Sequence, residues 1–145
     1  MNNLLLFAVM FIAGIAVAAQ PSINGRLAQR VGILESSFIS FAVGTLVLLV
    51  VVLMTGRGNL KAVSGAAWWE LMGGFLGAFF VSMTIVAVPR IGTASTMAAI
   101  ISSQLIAGLV LDRLGIFGLR TFALDAPRII GTGLLLAGAL LIFRR

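Results

Sequence analysis

Hydrophobic residues in this chain come in long unbroken runs, not in the alternation of a half-buried strand or the three-and-four spacing of a surface helix. Five runs stand out: Leu4 to Ala19, continuing with polar interruptions to about Leu27; Ser36 to Met54; Trp68 to Val88; Thr93 to Leu111; and Pro127 to Phe143. Crossing an apolar layer of about 30 Å takes about 20 residues of helix, because every backbone N–H and C=O has to find its partner inside the segment. A membrane β-barrel is excluded, since its strands alternate apolar and polar positions. The pattern predicts an all-α integral membrane protein with five transmembrane helices, over 4–27, 36–54, 68–88, 93–111 and 127–143, forming one membrane domain across 1–145. Composition supports this: only 10% of residues are charged, against about a quarter in soluble domains.

The punctuation between runs fits helical hairpins. Val88-Pro89-Arg90-Ile91-Gly92 is short enough only for a tight reversal, with Pro89 expected to end one helix and Gly92 to free the backbone for the next. Asp125-Ala126-Pro127 reads as a helix start, the carboxylate capping open N–H groups and the proline tolerated in the first turn. Ile116-Phe117-Gly118-Leu119 is apolar enough to lie along the interface and too short to span. The first run resembles a signal-peptide core followed by Ala16-Val17-Ala18, but Met1-Asn2-Asn3 lacks the basic region such a peptide carries, so it is expected to remain as a helix.

Charge placement adds an unusual feature. With five spans, one side of the membrane receives Arg57, Lys61, Arg113, Arg120 and Arg128, and the other receives Arg26, Arg30, Arg90, Arg144 and Arg145. Orientation normally follows an excess of Lys and Arg in short cytoplasmic loops, and here neither side has one. Dual topology is the functional expectation, with copies inserting both ways and pairing antiparallel; an ordinary protein with a small bias is the alternative. An odd number of spans is also what an inverted repeat requires, and many transporters place their substrate site between two such repeats. This chain carries one five-helix unit and no second copy, so it reads as half of a ten-helix inverted-repeat body.

Several segments together resemble the drug/metabolite transporter superfamily, and within it the short five-helix YdcZ type. They are Gln20-Pro21-Ser22-Ile23-Asn24-Gly25-Arg26-Leu27, Gly73-Gly74-Phe75-Leu76-Gly77-Ala78, Val88-Pro89-Arg90-Ile91-Gly92, Ser103-Gln104-Leu105-Ile106 with Leu111-Asp112-Arg113-Leu114-Gly115, and Gly131-Thr132-Gly133-Leu134-Leu135-Leu136-Ala137-Gly138. One departure is Ser103, where the pattern calls for glycine before the glutamine. The resemblance implies a multi-pass small-molecule transporter of the cytoplasmic (inner) membrane of a prokaryote, with the ten-helix unit built from two chains. It also implies that the last helix contributes to the contact between halves.

The polar residues inside the runs are the candidates for substrate binding. Gln20 and Asn24 stand four apart and share a helix face, and Pro21 between them is expected to invite a local break; the alternative is that helix one has already reached the interface there. Gln104, with Ser103 beside it, sits well inside helix four, where an amide needs a partner or a wet cavity; a bundle-gluing hydrogen bond is the other possibility. Small residues suit close helix contact or a dimer surface: Gly73 and Gly77 in helix three, and Gly133, Ala137 and Gly138 in helix five.

The carboxylates limit the chemistry. Glu35, Asp112 and Asp125 lie at helix ends, histidine is absent, and Glu70 behind Trp68-Trp69 is either an acid at the headgroup level or, with an indole beside it, a partner for a cation. Short multidrug exporters of the superfamily rely on a glutamate in helix one; helix one here offers no acid, so their proton-coupled export of lipophilic cations is not carried over. No nucleophile and base set, phosphate loop or metal-ligand cluster occurs, which points away from an enzyme and from any cofactor. The high pI reflects arginines grouped in loop-sized pairs and not a basic stripe for nucleic acid. The expected partners are therefore a small-molecule substrate, the lipid bilayer and a second copy in antiparallel orientation, or an oppositely inserted paralogue. A non-transporting accessory or scaffold protein is the reading from another class.

Overall fold

A computed structural model describes residues 2–118 and 120–144. Met1, Leu119 and Arg145, which enter the sequence readings above, lie outside them. The described chain is helical, with α1 at Asn3–Val31, α2 at Ile33–Thr55, α3 at Met72–Ile91, α4 at Thr93–Leu114 and α5 at Ala126–Phe143. Short 3-10 turns occupy Leu60–Gly65, Trp68–Leu71 and Ile116–Gly118. All five predicted spans are helices long and apolar enough to cross a membrane.

The helix starts follow from their caps. Asn2 Oδ1 accepts from the Leu4 amide at the head of α1, and Asp125 Oδ1 accepts from the Arg128 amide at the head of α5, with Pro127 in the first turn as expected. Two boundaries differ from the sequence reading. No loop separates helices one and two: α1 runs on to Val31, and α2 begins at Ile33 after the single residue Gly32, whose φ of +103° is open to glycine and strained for other residues. Likewise α3 continues past Pro89 to Ile91, and the break falls at Gly92, φ +82°.

Neither proline interrupts its helix. Pro21 and Pro89 both lie inside continuous helices, contrary to the expected break at the first and the expected stop at the second. In membrane helices the backbone groups freed by proline are satisfied by neighbouring side chains and small local adjustments, so an internal proline is tolerated.

Burial is inverted relative to a soluble domain. Large apolar side chains such as Phe7, Leu53, Phe75 and Leu141 point outward, while the buried set includes Pro21, Asn24, Ser36, Ser37, Ser82, Thr84 and Thr96, with Val81, Ile85 and Ala98 as its hydrophobic members. Lipid tails are as apolar as leucine, so leucine gains little from being inside; small residues that let helices approach, and hydroxyls that bond across them, take the interior.

The chain divides into two compact units, Met1–Arg90 and Ile91–Arg145. In the first, α1 packs along α2, and α3 is tied to α2 by a hydrogen bond from Ser82 Oγ to Ser37 Oγ at 2.9 Å. Gly77 of α3 faces Phe41 of α2 there: a Cβ on this glycine would lie 3.2 Å from the ring Cζ. In the second unit α4 packs along α5.

Candidate functional site

The first unit carries a polar seam. Asn24 is buried; its Nδ2 donates to Ser40 Oγ at 3.2 Å, and its main-chain carbonyl accepts from Ser36 Oγ at 2.8 Å. Ser37 Oγ donates to the Ile33 carbonyl and accepts from Ser82. The seam therefore stitches α1, α2 and α3 together, and Asn24 acts as a clamp between helices. Gln20, one turn earlier on the same face, is half-buried and lines a hollow of about 220 Å³ with Ser40, Phe41, Gly44 and Thr45. The shared face predicted for Gln20 and Asn24 is present, but their roles diverge.

Sequence reasoning missed the serines of this seam. Their signal was available: Ser36, Ser37 and Ser40 recur at helical spacing in the first turns of an apolar run, a pattern of polar groups that needs partners when it enters a membrane.

Glu70 is a capping residue. Its Oε2 accepts from the Ala67 amide at 2.6 Å, at the head of the short 3-10 turn that leads into α3. Trp68 is largely exposed, as a headgroup-level indole would be. The carboxylate is thus engaged by the backbone of its own turn.

The second unit contains a groove of about 360 Å³ between α4 and α5. From α4 it is lined by Gln104, Leu105, Gly108, Leu109 and Asp112, which fall at one-turn intervals on one face; from α5 it is lined by Arg128, Gly131, Thr132 and Leu135. Gly108 and Gly131 leave its floor low, since a Cβ at either would meet nothing within 4 Å. At one end Arg128 Nη1 and Asp112 Oδ2 pair at 3.2 Å. Phe122 braces this end, its ring 5.3 Å from the guanidinium carbon and its amide bonded to the Asp112 carbonyl at 2.9 Å. Gln104 stands midway along the 22-residue α4, and no residue among those described hydrogen-bonds its amide. Ser103 does not join it: its hydroxyl is returned to the Ile100 carbonyl of its own helix.

The predicted residues thus fall into separate settings. Gln20 and Asn24 belong to the first unit and Gln104 to the second, while Trp68 and Glu70 form a turn before α3. Of the small residues, Gly77 lies against α2, and Gly138 lines a smaller hollow with Ser102 and Ala98 of α4. Gly73, Gly133 and Ala137 are exposed on the single chain. The Asp112–Arg128 pair and Thr132 were not recognised as groove residues from sequence, because only the packing of α4 on α5 makes them neighbours.

Apolar helices long enough to cross a membrane, with their large side chains turned outward and a partly polar groove inside one helix pair, define a multi-pass membrane protein. The profile of the family described as "Putative inner membrane exporter, YdcZ" matches residues 5–141, and the chain belongs to that family. It is 39% identical to the inner membrane protein YdcZ of Escherichia coli (strain K12), in an alignment covering all of this chain and 99% of that protein. No solved structure matches. The expected family resemblance and the inner-membrane location are thereby established.

Proposed function

We propose that this protein exports a small molecule and works as an antiparallel homodimer, with the α4–α5 groove supplying each chain's share of the substrate path. The observation that carries this reading is Gln104: a primary amide halfway along a membrane helix, facing a groove, with no hydrogen bond from the described residues. An unpaired amide in hydrocarbon is costly, so in the working protein it faces water, substrate or a second chain. The family description supports export, and the even division of Lys and Arg supports insertion in both orientations.

The test is side-specific labelling in intact cells of single cysteines at Asn3 and at Arg144, in a chain that has no cysteine of its own. Comparable labelled and protected fractions at both sites are expected. One orientation only would overturn the homodimer and redirect the search to a partner inserted the other way up. Gln104→Leu then tests transport itself: solute efflux is expected to fall at least tenfold while insertion and pairing persist. Unchanged efflux would assign the amide to helix packing and favour the scaffold reading.

A further inference from the structure

The groove between α4 and α5 has a chemical polarity of its own. At one end stands a carboxylate beside a guanidinium, and each side chain remains about two-fifths exposed, at 42% for Asp112 and 40% for Arg128. Only one Nη and one Oδ are engaged with each other, so both groups keep open hydrogen-bonding positions. From this end the groove runs along α4 to Gln104, eight residues or about 12 Å away at 1.5 Å per residue. Between the ends the walls are Leu105, Leu109 and Leu135, and the floor is lowered at Gly108 and Gly131. The Thr132 hydroxyl, one turn from Arg128, also lines the groove without a hydrogen bond from the described residues.

Building on the reading of this groove as part of a substrate path, we propose that it takes a zwitterionic amphiphile drawn from the bilayer. The paired head charges would sit on Asp112 and Arg128, the apolar body along the leucine walls. Charge complementarity selects the class. A lone anion approaching Arg128 meets the Asp112 carboxylate, and a lone cation approaching Asp112 meets the guanidinium. A head bearing both signs satisfies the open positions of each without breaking the pair. The apolar stretch then requires a hydrocarbon body, since a fully polar solute would desolvate against leucine without compensation.

The experiment uses the full-length protein in lipid nanodiscs with three diazirine-tailed probes: lysophosphatidylethanolamine, lysophosphatidylglycerol and an alkyl ammonium of matched chain length. Crosslinks are mapped by peptide mass spectrometry. The zwitterionic probe is expected to label 105–109 and 131–135 at least fivefold more than either singly charged probe, and Gly108→Leu is expected to remove that labelling by filling the floor. Because Gly108→Leu also touches packing, two conservative variants give a signature that a structural effect would not produce. Asp112→Asn should shift preference to the anionic probe, and Arg128→Gln to the cationic one. Equal labelling by all three probes, or no opposite shift in the two variants, overturns the proposal. Selective labelling without solute efflux would keep the site and refute the exporter reading; efflux without selective labelling would do the reverse.

Discussion

Asn24 is the residue whose role changes most between sequence and structure, and a mutant cycle measures the difference. In the structure its side-chain amide donates to Ser40 across the α1–α2 hairpin, while the Ser36 hydroxyl bonds its main-chain carbonyl, a link that survives any substitution keeping the backbone in place. Asn24→Ala therefore removes one interhelical hydrogen bond and the bulk of a buried side chain. Interhelical bonds of this kind average about 0.6 kcal/mol in membrane proteins and reach about 1.7, a factor of about 3 to about 18 in the unfolding equilibrium. With the lost packing, the whole substitution should destabilise by about 1 to 3 kcal/mol. Pairing it with Ser40→Ala isolates the bond, since the coupling energy excludes the packing each mutation loses separately. The assay is equilibrium unfolding in mixed micelles of increasing SDS fraction, followed by circular dichroism. A coupling of about 0.6 to 1.7 kcal/mol is expected, with efflux per folded molecule unchanged. A coupling near zero, or loss of efflux at unaltered stability, would refute the clamp and return Asn24 to the substrate site.

Two further outcomes follow from single contacts. Gly77→Leu drives a side chain into the Phe41 ring, which already lies 3.2 Å from the position of a Cβ, and should destabilise the first unit by about 1 to 3 kcal/mol in the same unfolding assay; Phe41→Ala in the same chain should recover part of that loss, and no recovery would show that the contact is not the cause. Glu70→Ala removes the acceptor of the Ala67 amide and should lower stability by about 0.5 to 2 kcal/mol. Glu70→Gln keeps an acceptor oxygen and should leave efflux and its pH profile unchanged on both sides of neutrality, whereas a collapse of efflux in that variant would make Glu70 a coupling acid.

The helices were legible because spanning a membrane is a demand on composition over about 20 residues, and a demand that long survives errors at either end. The ends themselves were not. A stretch such as Arg26 to Glu35 looks like a loop by polarity, yet a helix that leaves the hydrocarbon need not stop there, and only the positive φ of Gly32 fixes the turn. Pro21 and Pro89 misled for a related reason: proline removes one backbone hydrogen bond and crowds the carbonyl four residues earlier, and in a membrane helix neighbouring side chains and small local adjustments absorb that loss without ending the helix. The position of Gln104 halfway along a membrane helix is legible from the run that contains it. Its groove was not visible, because Asp112 and Arg128 are sixteen residues apart and become a pair only when α5 folds back along α4.

A depth argument connects the charge pattern to the groove. An in-plane two-fold axis at the bilayer centre carries a residue at a given depth to the mirror depth in the other leaflet, so only residues near the midplane of two antiparallel chains come to the same level. Gln104, halfway along α4, is such a residue; Asp112 and Arg128, at the end of α4 and the start of α5, are not. In the antiparallel pair proposed above, the two amides would share the central level while one ion pair would stand near each membrane surface. A path built this way presents the same recognition group at both mouths and the same polar residue at its centre, whichever way a given copy inserted. An orientation bias would then be neither needed nor useful, and the even split of basic residues would become a requirement of the assembly: adding lysines on one side, at Gly58 and Asn59, should fix the orientation of every copy and abolish efflux, and co-expression with a variant biased the other way, by lysines at the exposed Gln29 and Leu34, should restore it. Efflux from copies locked in one orientation would break the argument at its first step.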